Sequence, residues 1–558
     1  MNRRNLLDMA GRLALAGTAA APAGDAQTNP SMAAAGLNTF NVRNYGAAGD
    51  GKMKDSGAIQ RAIDACFAAR GGVVYLPPGD YLSGAIVLKS NVTLWLEAGA
   101  TIWGSKEIAD YNPRNLIFAR DATNVGVAGP GTIDGNGESF WVKQDTYLIF
   151  PYLKLDYKER LGWGDILHHW WKPLDRPGPM IEFVNCNNVR IEDVLLRNAS
   201  GWTVRPILCD NVLIRGVTIS NPYHGSNTDG IDPTCCRDVL ISDCNICTGD
   251  DAICLKSAAE YGVKRPSRNI TVTNCILSTT CNAFKIGTGT QDDFENITFS
   301  NSVIYNDPGE PRARTMAGIA LESVDGGRTA GIVISNIVMR NVRSAIMLRL
   351  GNRGTGQALP HTPGALRDVM IDNVLATGTT MTNAITALPG HDIENLSLSN
   401  ITISANEGGK LEWAKRQIPE MPEEYPEAPM YGRLPSYGFY FRHVNNLKLR
   451  NVELRLEGPD MRPGVICDDV KNLAISGLAA ASPSGEEPVL RFIGVRKALL
   501  QGCVAPPNAK AFVRLEGGAT ERIAFLGNDF GEAEKAIDRD GTVPPNAVLE
   551  SGNRPGRA

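Results

Sequence analysis

No long hydrophobic run occurs in the 558 residues: nothing approaches the roughly 18–20 consecutive apolar residues that a membrane-spanning helix requires. Neither sign of charge prevails. With 56 Lys and Arg against 60 Asp and Glu the formal net charge is −4, so the basic footprint that binds nucleic-acid phosphates is missing. Cysteine is plentiful at 12, but a zinc-type pair set is not there. Cys244-x-x-Cys247 is followed by no second pair and by no histidine at finger spacing. A composition of 43% hydrophobic and 21% charged residues excludes a wholly disordered chain.

What is present first is a basic start. Arg3-Arg4 precede a weakly apolar, Ala-rich stretch from Leu13 to Ala23, with small residues at Ala21–Ala26. This pattern predicts an export signal of the twin-arginine type within residues 1–30, and hence a periplasmic or secreted protein. Such a route carries chains already folded, which accommodates thiols packed as small hydrophobes in a core. The crowding of Cys209, Cys235, Cys236, Cys244, Cys247 and Cys254 reads as that kind of ladder.

The dominant signal is repetition. An Asn or Asp, an aliphatic residue and then strict alternation recur at Asn91, Asn124, Asn188, Asn211, Asp238, Asn269, Asn296 and Asn336, and again at Asp368, Asn395, Asn446 and Asn472. Intervals from Asn188 to Asn296 are 23, 27, 31 and 27 residues. A period in that range marks a stacked-repeat solenoid. No repeat carries an amphipathic helix, which excludes helical solenoids and leucine-rich repeats. The expected fold is all-β: a right-handed parallel β-helix over residues 38–550, with Asn side chains laddered at the turns. Ser56–Arg70 spaces Ile59, Ile63 and Phe67 as a helix would, and is expected to cap the open N-terminal end of the core.

Two stretches interrupt the period. Residues 138–180 hold Trp141, Trp163, Trp170, Trp171 and the His168-His169 pair; residues 408–437 are rich in proline and charge. Both read as long loops projecting from the coil, where binding residues commonly sit. The histidine pair by itself reads as ordinary loop chemistry, and the sequence points to no metal and no cofactor.

Acidic residues concentrate on two consecutive coils. One reads Ser226-Asn227-Thr228-Asp229-Gly230-Ile231-Asp232 and the next Thr248-Gly249-Asp250-Asp251. The 21 residues from Asp229 to Asp250 make about one short coil, so the carboxylates are expected to stack on one face. Their mutual repulsion raises at least one pKa, an arrangement suited to metal binding or to acid–base chemistry.

These motifs resemble glycoside hydrolase family 28, the polygalacturonase-like enzymes. The resemblance rests on Asn227-Thr228-Asp229, Gly249-Asp250-Asp251, the spacing between them and the opening from Phe40 to about Ile102, and spans roughly Phe40 to Gly354. It implies single-displacement hydrolysis with inversion, Asp250 as general acid, and Asp229 and Asp251 activating water. Inverting enzymes hold the two carboxyls about 6.5–9.5 Å apart.

The sequence departs from the family at two places. Asn282 stands where the family has the histidine of Gly-His-Gly, and Ala320 and Glu322 stand where it has the Arg and Lys of Arg-Ile-Lys. In the family that Arg and Lys bind a galacturonate carboxylate, which Glu322 would repel. The expected substrate is therefore a pectic or related plant-type poly- or oligosaccharide with a neutral or deoxy unit at the site. Candidate binding residues are Asn227, Asn282, Lys256, Lys285, Glu322, Arg349, Arg353 and Trp202. The two long loops suggest action from a chain end. A calcium-dependent polysaccharide lyase and a non-catalytic carbohydrate-binding β-helix stand as the alternatives.

Overall fold

Short β-branched runs that end at asparagine corners cannot fold back on themselves, so each strand finds its partner one coil further along the chain. The structure, a computed structural model, describes residues 38–145, 171–306 and 314–557. Residues 1–30, and Trp163, His168, His169 and Trp170, lie outside the described residues. Val189 pairs in parallel with Val212, and the column continues through Val239, Ile270, Ile297, Ile332, Val369 and Leu396. The result is the expected right-handed parallel β-helix. Its coils stack at the roughly 4.8 Å spacing of paired strands. Inward aliphatics form one continuous core along the axis, and Phe284 stacks on Phe299 with ring centroids 4.5 Å apart.

The corners explain the asparagines. Asn124, Asn188, Asn269, Asn296 and Asn336 all have φ between 55° and 58°, a left-handed conformation that asparagine tolerates better than most residues. Their amides then join coil to coil: Asn124 donates to Asn91 at 2.8 Å, Asn188 to Asn124 at 2.7 Å, and Asn373 to Asn336 at 2.8 Å. All 12 cysteines are free thiols, and all but Cys247 are buried.

Two expectations need correction. The capping helix forms over Ser56–Ala68, but its inward face is Ala58, Ile59, Ala62, Ile63 and Cys66. Phe67 is 47% exposed and lies against the Lys89 ammonium instead. The helical repeat of 3.6 residues favours position 66 over 67 for the third inward contact. The 408–437 loop does not project. Its Ile418, Ala428, Met430, Tyr431 and Leu434 pack onto Ala317, Ala320, Met347, Ala384, Tyr440 and Ile466 of the coil.

The corner ladder yields a stability prediction at Asn336, which donates to Asn301 at 2.9 Å and accepts from Asn373. Asn336→Ala loses both bonds and strains the corner, and is expected to destabilise by about 1–3 kcal/mol. Asn336→Gly keeps the conformation and is expected to cost less; denaturant midpoints that put glycine below alanine would contradict this account.

Candidate active site

Coil register brings the acidic motifs together. Val204 bridges to Ile231 and Ile231 to Ile253, and Ile253 pairs with Phe284. Two residues earlier, the same register lines up Trp202, Asp229, Asp251 and Asn282 in one column. The coil-to-coil offset is therefore 22, and Asp251 rather than Asp250 stands directly over Asp229. The glycines of the motifs permit this approach: a Cβ at Gly230 would lie 2.3 Å from the Ala252 carbonyl oxygen, and one at Gly249 would lie 2.4 Å from that of Gly225.

Asp250 sits beside the column at the cleft surface and is half-buried, while Asp229, Asp232 and Asp251 are buried. Its Oδ1 accepts from the Asp251 N–H at 2.8 Å and its Oδ2 from Asn227 Nδ2 at 3.3 Å. Thr248 and Thr279 hydroxyls both donate to its backbone oxygen at 2.5 Å. The acid is thus held at backbone and side chain at once.

Two lysines, Lys285 buried and Lys256 half-buried, sort the charges. Lys256 Nζ bonds to Asp232 and lies 3.5 Å from Asp229 Oδ2. Lys285 Nζ is 3.3 Å from Asp251 Oδ2, 3.3 Å from Glu322 Oε2 and 3.1 Å from Glu427 Oε1. Burial, and then the neighbouring Asp250 and Asp232, push the Asp229 carboxyl well above the usual range, more than Lys256 offsets. Burial acts on Asp251 in the same sense. There the charges of Lys285 and Lys256, with donors from Asn282, outweigh it and hold the carboxyl below its ordinary value. Those Asn282 donors are its backbone N–H at 3.0 Å and Nδ2 at 2.9 Å, both to Asp251 Oδ1. Burial disfavours the charged ammonium of both lysines, but the surrounding carboxylates prevail and raise their pKa well above normal.

Other expected site residues fall into place unevenly. Glu322 is 0% exposed, so it serves Lys285 rather than the open cleft. Arg349 is also interior: it donates to the Tyr431 hydroxyl at 2.8 Å and to the carbonyls of Glu420 and Met421, bracing the 408–437 loop. Arg353 pairs with Asp325 and lies over the Tyr425 ring. Trp202 is half-buried, with the Lys256 ammonium and the Arg205 guanidinium each 4.7 Å from its ring.

Three groups at the site were not singled out in the sequence. Glu427 comes from the 408–437 loop; its Oε2 accepts from Asn282 Nδ2 at 3.1 Å, and burial, only partly countered by Lys285, pushes its carboxyl up to about 7. Arg176 donates to Asn227 Oδ1 at 3.0 Å. His224 stacks on Trp171 with centroids 4.3 Å apart. The loop's composition was the available signal for Glu427, but nothing in the sequence separates it from Glu423 and Glu424. A cavity of about 450 Å³ opens beside the acidic column, lined by Arg176, Trp202, Arg205 and Asn227.

Among the described residues two clusters have the atoms for a cation. In one, Asp250, Asp251 and Cys281 bring ligand atoms within 4.8 Å of one another; in the other, Asp392, His443 and Asp469 do so. Both are already answered internally, by Lys285 and Asn282 in the first, and by Lys471 at 2.7 Å and Arg496 at 2.6 Å in the second.

Residues 168–422 match the model of glycosyl hydrolases family 28. A probable polygalacturonase of Vitis vinifera is 26% identical over 67% of this chain and 76% of its own length. An exo-poly-alpha-D-galacturonosidase of Dickeya chrysanthemi is 26% identical over 68% of this chain and 69% of its own. In fold, the chain is similar to an exopolygalacturonase from Thermotoga maritima, with a TM-score of 0.55 at 24% identity over 75% of this chain and 92% of that one. It is also similar to a family 28 exopolygalacturonase of Yersinia enterocolitica, with a TM-score of 0.54 at 19% identity over 83% and 78%. Fold and matches together define a glycosidase. The match over residues 168–422 and these relatives make the chain similar to family 28, with the polygalacturonases as divergent relatives.

Glu427 carries a pH signature. Its folded pKa, about 7, exceeds its ordinary 4.5, so the folded protein holds a proton that the unfolded chain releases. The contribution to stability is complete below 4.5 and is lost as pH rises through 7. Glu427→Gln, which mimics the protonated form, is expected to flatten the fall in melting temperature across that window. An unchanged slope would count against the burial of this carboxylate.

Proposed function

We propose that the protein hydrolyses glycosidic bonds in pectic or related plant-type saccharides by single displacement with inversion. Asp250, at the cleft surface, gives its proton to the glycosidic oxygen. Asp251 takes the proton of the attacking water, and Asp229 stays protonated beside them. The observation that carries this reading is the split in ionisation: within one column, Asp251 is kept charged by Lys285 and Lys256 while Asp229 is kept neutral by burial. The split leaves Asp251 ionised to receive a proton, while Asp250 holds the cleft-surface position from which one can be given.

Both Asp251 oxygens are occupied, one by Asn282 and one by Lys285, which suits it to orient water better than to attack carbon. Elimination is less well supported, because a lyase needs a neutral base beside a uronate and both lysines are held charged. Asp251, held ionised 3.3 Å from Lys285, already answers the charge of that ammonium, which supports a neutral sugar at that position. Action from a chain end is supported by the loop that fills the groove over Ala320, Met347 and Ala384. An exported location rests on Arg3-Arg4 and the stretch that follows.

Defined pectic oligosaccharides test this directly. Asp250→Asn is expected to fold normally and to lose about 10²–10⁴-fold in kcat. The first-formed anomer, read by proton NMR, is expected to be inverted; a retained anomer would make Asp251 the nucleophile, and full activity in Asp250→Asn would remove the acid assigned here.

A further inference from the structure

The 408–437 loop does more than cover the coil. Of the three glutamates between Met421 and Ala428, only Glu427 is buried, at 3% exposed. The chain on both sides of it is tied to one cation. Arg349 donates to the Glu420 and Met421 carbonyls before it, at 2.8 and 3.0 Å, and to the Tyr431 hydroxyl after it, at 2.8 Å. The Asn352 N–H adds a bond to the Pro422 carbonyl at 2.7 Å. A carboxyl carried by a segment so fixed reaches the acidic column already oriented.

What Glu427 meets there are the two side chains that grip Asp251. Asn282 Nδ2 has two hydrogens. It lies 2.9 Å from Asp251 Oδ1 and 3.1 Å from Glu427 Oε2, so one goes to each carboxyl. The Cys281 sulfur, 3.5 Å from Nδ2, is only a weak acceptor beside them. The other end of the amide, Oδ1, is buried and has no donor. Its orientation is therefore set from the Nδ2 end, by Asp251 and Glu427 together. Lys285 repeats the pattern: its three hydrogens face Asp251 Oδ2 at 3.3 Å, Glu322 Oε2 at 3.3 Å and Glu427 Oε1 at 3.1 Å. Lys256, Asp229, Asp232, Glu322 and Cys281 also act on Asp251 through space. Glu427 alone anchors the donors on both of its oxygens, Asn282 on Oδ1 and Lys285 on Oδ2.

We infer that Glu427 is a positioning residue for Asp251: it holds Asn282 and Lys285 so that each presents a donor to one oxygen of the carboxylate that takes the water's proton. The inference rests on the reading of Asp251 as the base and adds to it a group from outside the coil. Strand register brings Asn282 over Asp251, but the aim of its amide is completed from a position 145 residues further along the chain. An amide turned over would set its Oδ1 against Asp251 Oδ1, which only a protonated Asp251 tolerates. Glu427 opposes that turn, because it would lose the Nδ2 hydrogen it accepts. Without Glu427, reversal of the amide and protonation of Asp251 favour each other.

Carbon-13 NMR of the Asp251 carboxyl in the full chain tests it. Asp251 titrates below 3.8, where Glu427 still holds its proton, so removing Glu427 takes no charge from the site in that range and any change reports position. In Glu427→Met, which fills the same space without an acceptor, the Asp251 midpoint is expected to rise by about one pH unit. Glu427→Gln keeps an acceptor oxygen and is expected to leave the midpoint near its unmodified value. An unmoved midpoint in Glu427→Met, or equal rises in both proteins as loop packing alone would give, would overturn the role. A second measurement needs no variant: the Asn282 side-chain nitrogen resonance is expected to shift through about 7 with Glu427, and an amide that responds only where Asp251 titrates would overturn it. In turnover, Glu427→Met is expected to lower kcat about tenfold with KM unchanged, and a raised KM at unchanged kcat would contradict it. Absence of hydrolysis by the unmodified protein with the NMR pattern intact would refute the hydrolase and leave the hold on Asp251 standing.

Discussion

In-register stacking of parallel strands is the constraint on which the rest depends. Each coil must place its hydrogen-bonding groups against those of the next, so a residue's neighbours are fixed by coil length rather than by proximity in sequence. An offset of 22 residues puts Asp251 over Asp229, and one of 31 puts Asn282 over Asp251. A one-residue change in either coil would carry the carboxylate out of its column. The tight glycines at 230 and 249, and the threonines that grip the Asp250 carbonyl, hold the turns to that register.

On this frame the electrostatics follow from burial. A lysine without water costs several kcal/mol unless opposite charge surrounds it. Lys285 has three carboxylates around it, one from the preceding coil, one from the following coil and one from a loop more than 140 residues away. With more acid than base in the cluster, some carboxyls must remain protonated. Glu322, Glu427 and Asp229 are the ones pushed up, and Asp251 is the one held down. The same cluster thus supports the fold beneath the cleft and divides the acidic column into a charged and a neutral carboxyl.

The sequence made the periodic part of this legible. Asparagine corners, alternating aliphatics and the two acidic motifs all recur at coil length, and each landed on a coil as expected. Lys256 and Lys285 were visible as candidates because one closely follows Gly249-Asp250-Asp251 and the other lies on the coil of Asn282. What escaped came from chain that obeys no period. Arg176 enters from the end of an insertion and Glu427 from a proline-rich loop, and their return paths are set by packing such as that of Met430 and Tyr431 on Ala320 and Met347. Arg349 was read as a cleft residue because its position one coil beyond Glu322 is periodic, but the loop that buries it is not.

The central claim is that one column of the coil holds one aspartate charged and its neighbour neutral. Carbon-13 NMR of the aspartate carboxyl carbons, followed through a pH titration with Asp229→Asn and Asp251→Asn proteins for assignment, measures this most directly. The account predicts that Asp251 stays ionised below the ordinary 3.8 while Asp229 keeps its proton well above it. Two carboxyl signals that titrate together near that ordinary value would contradict it.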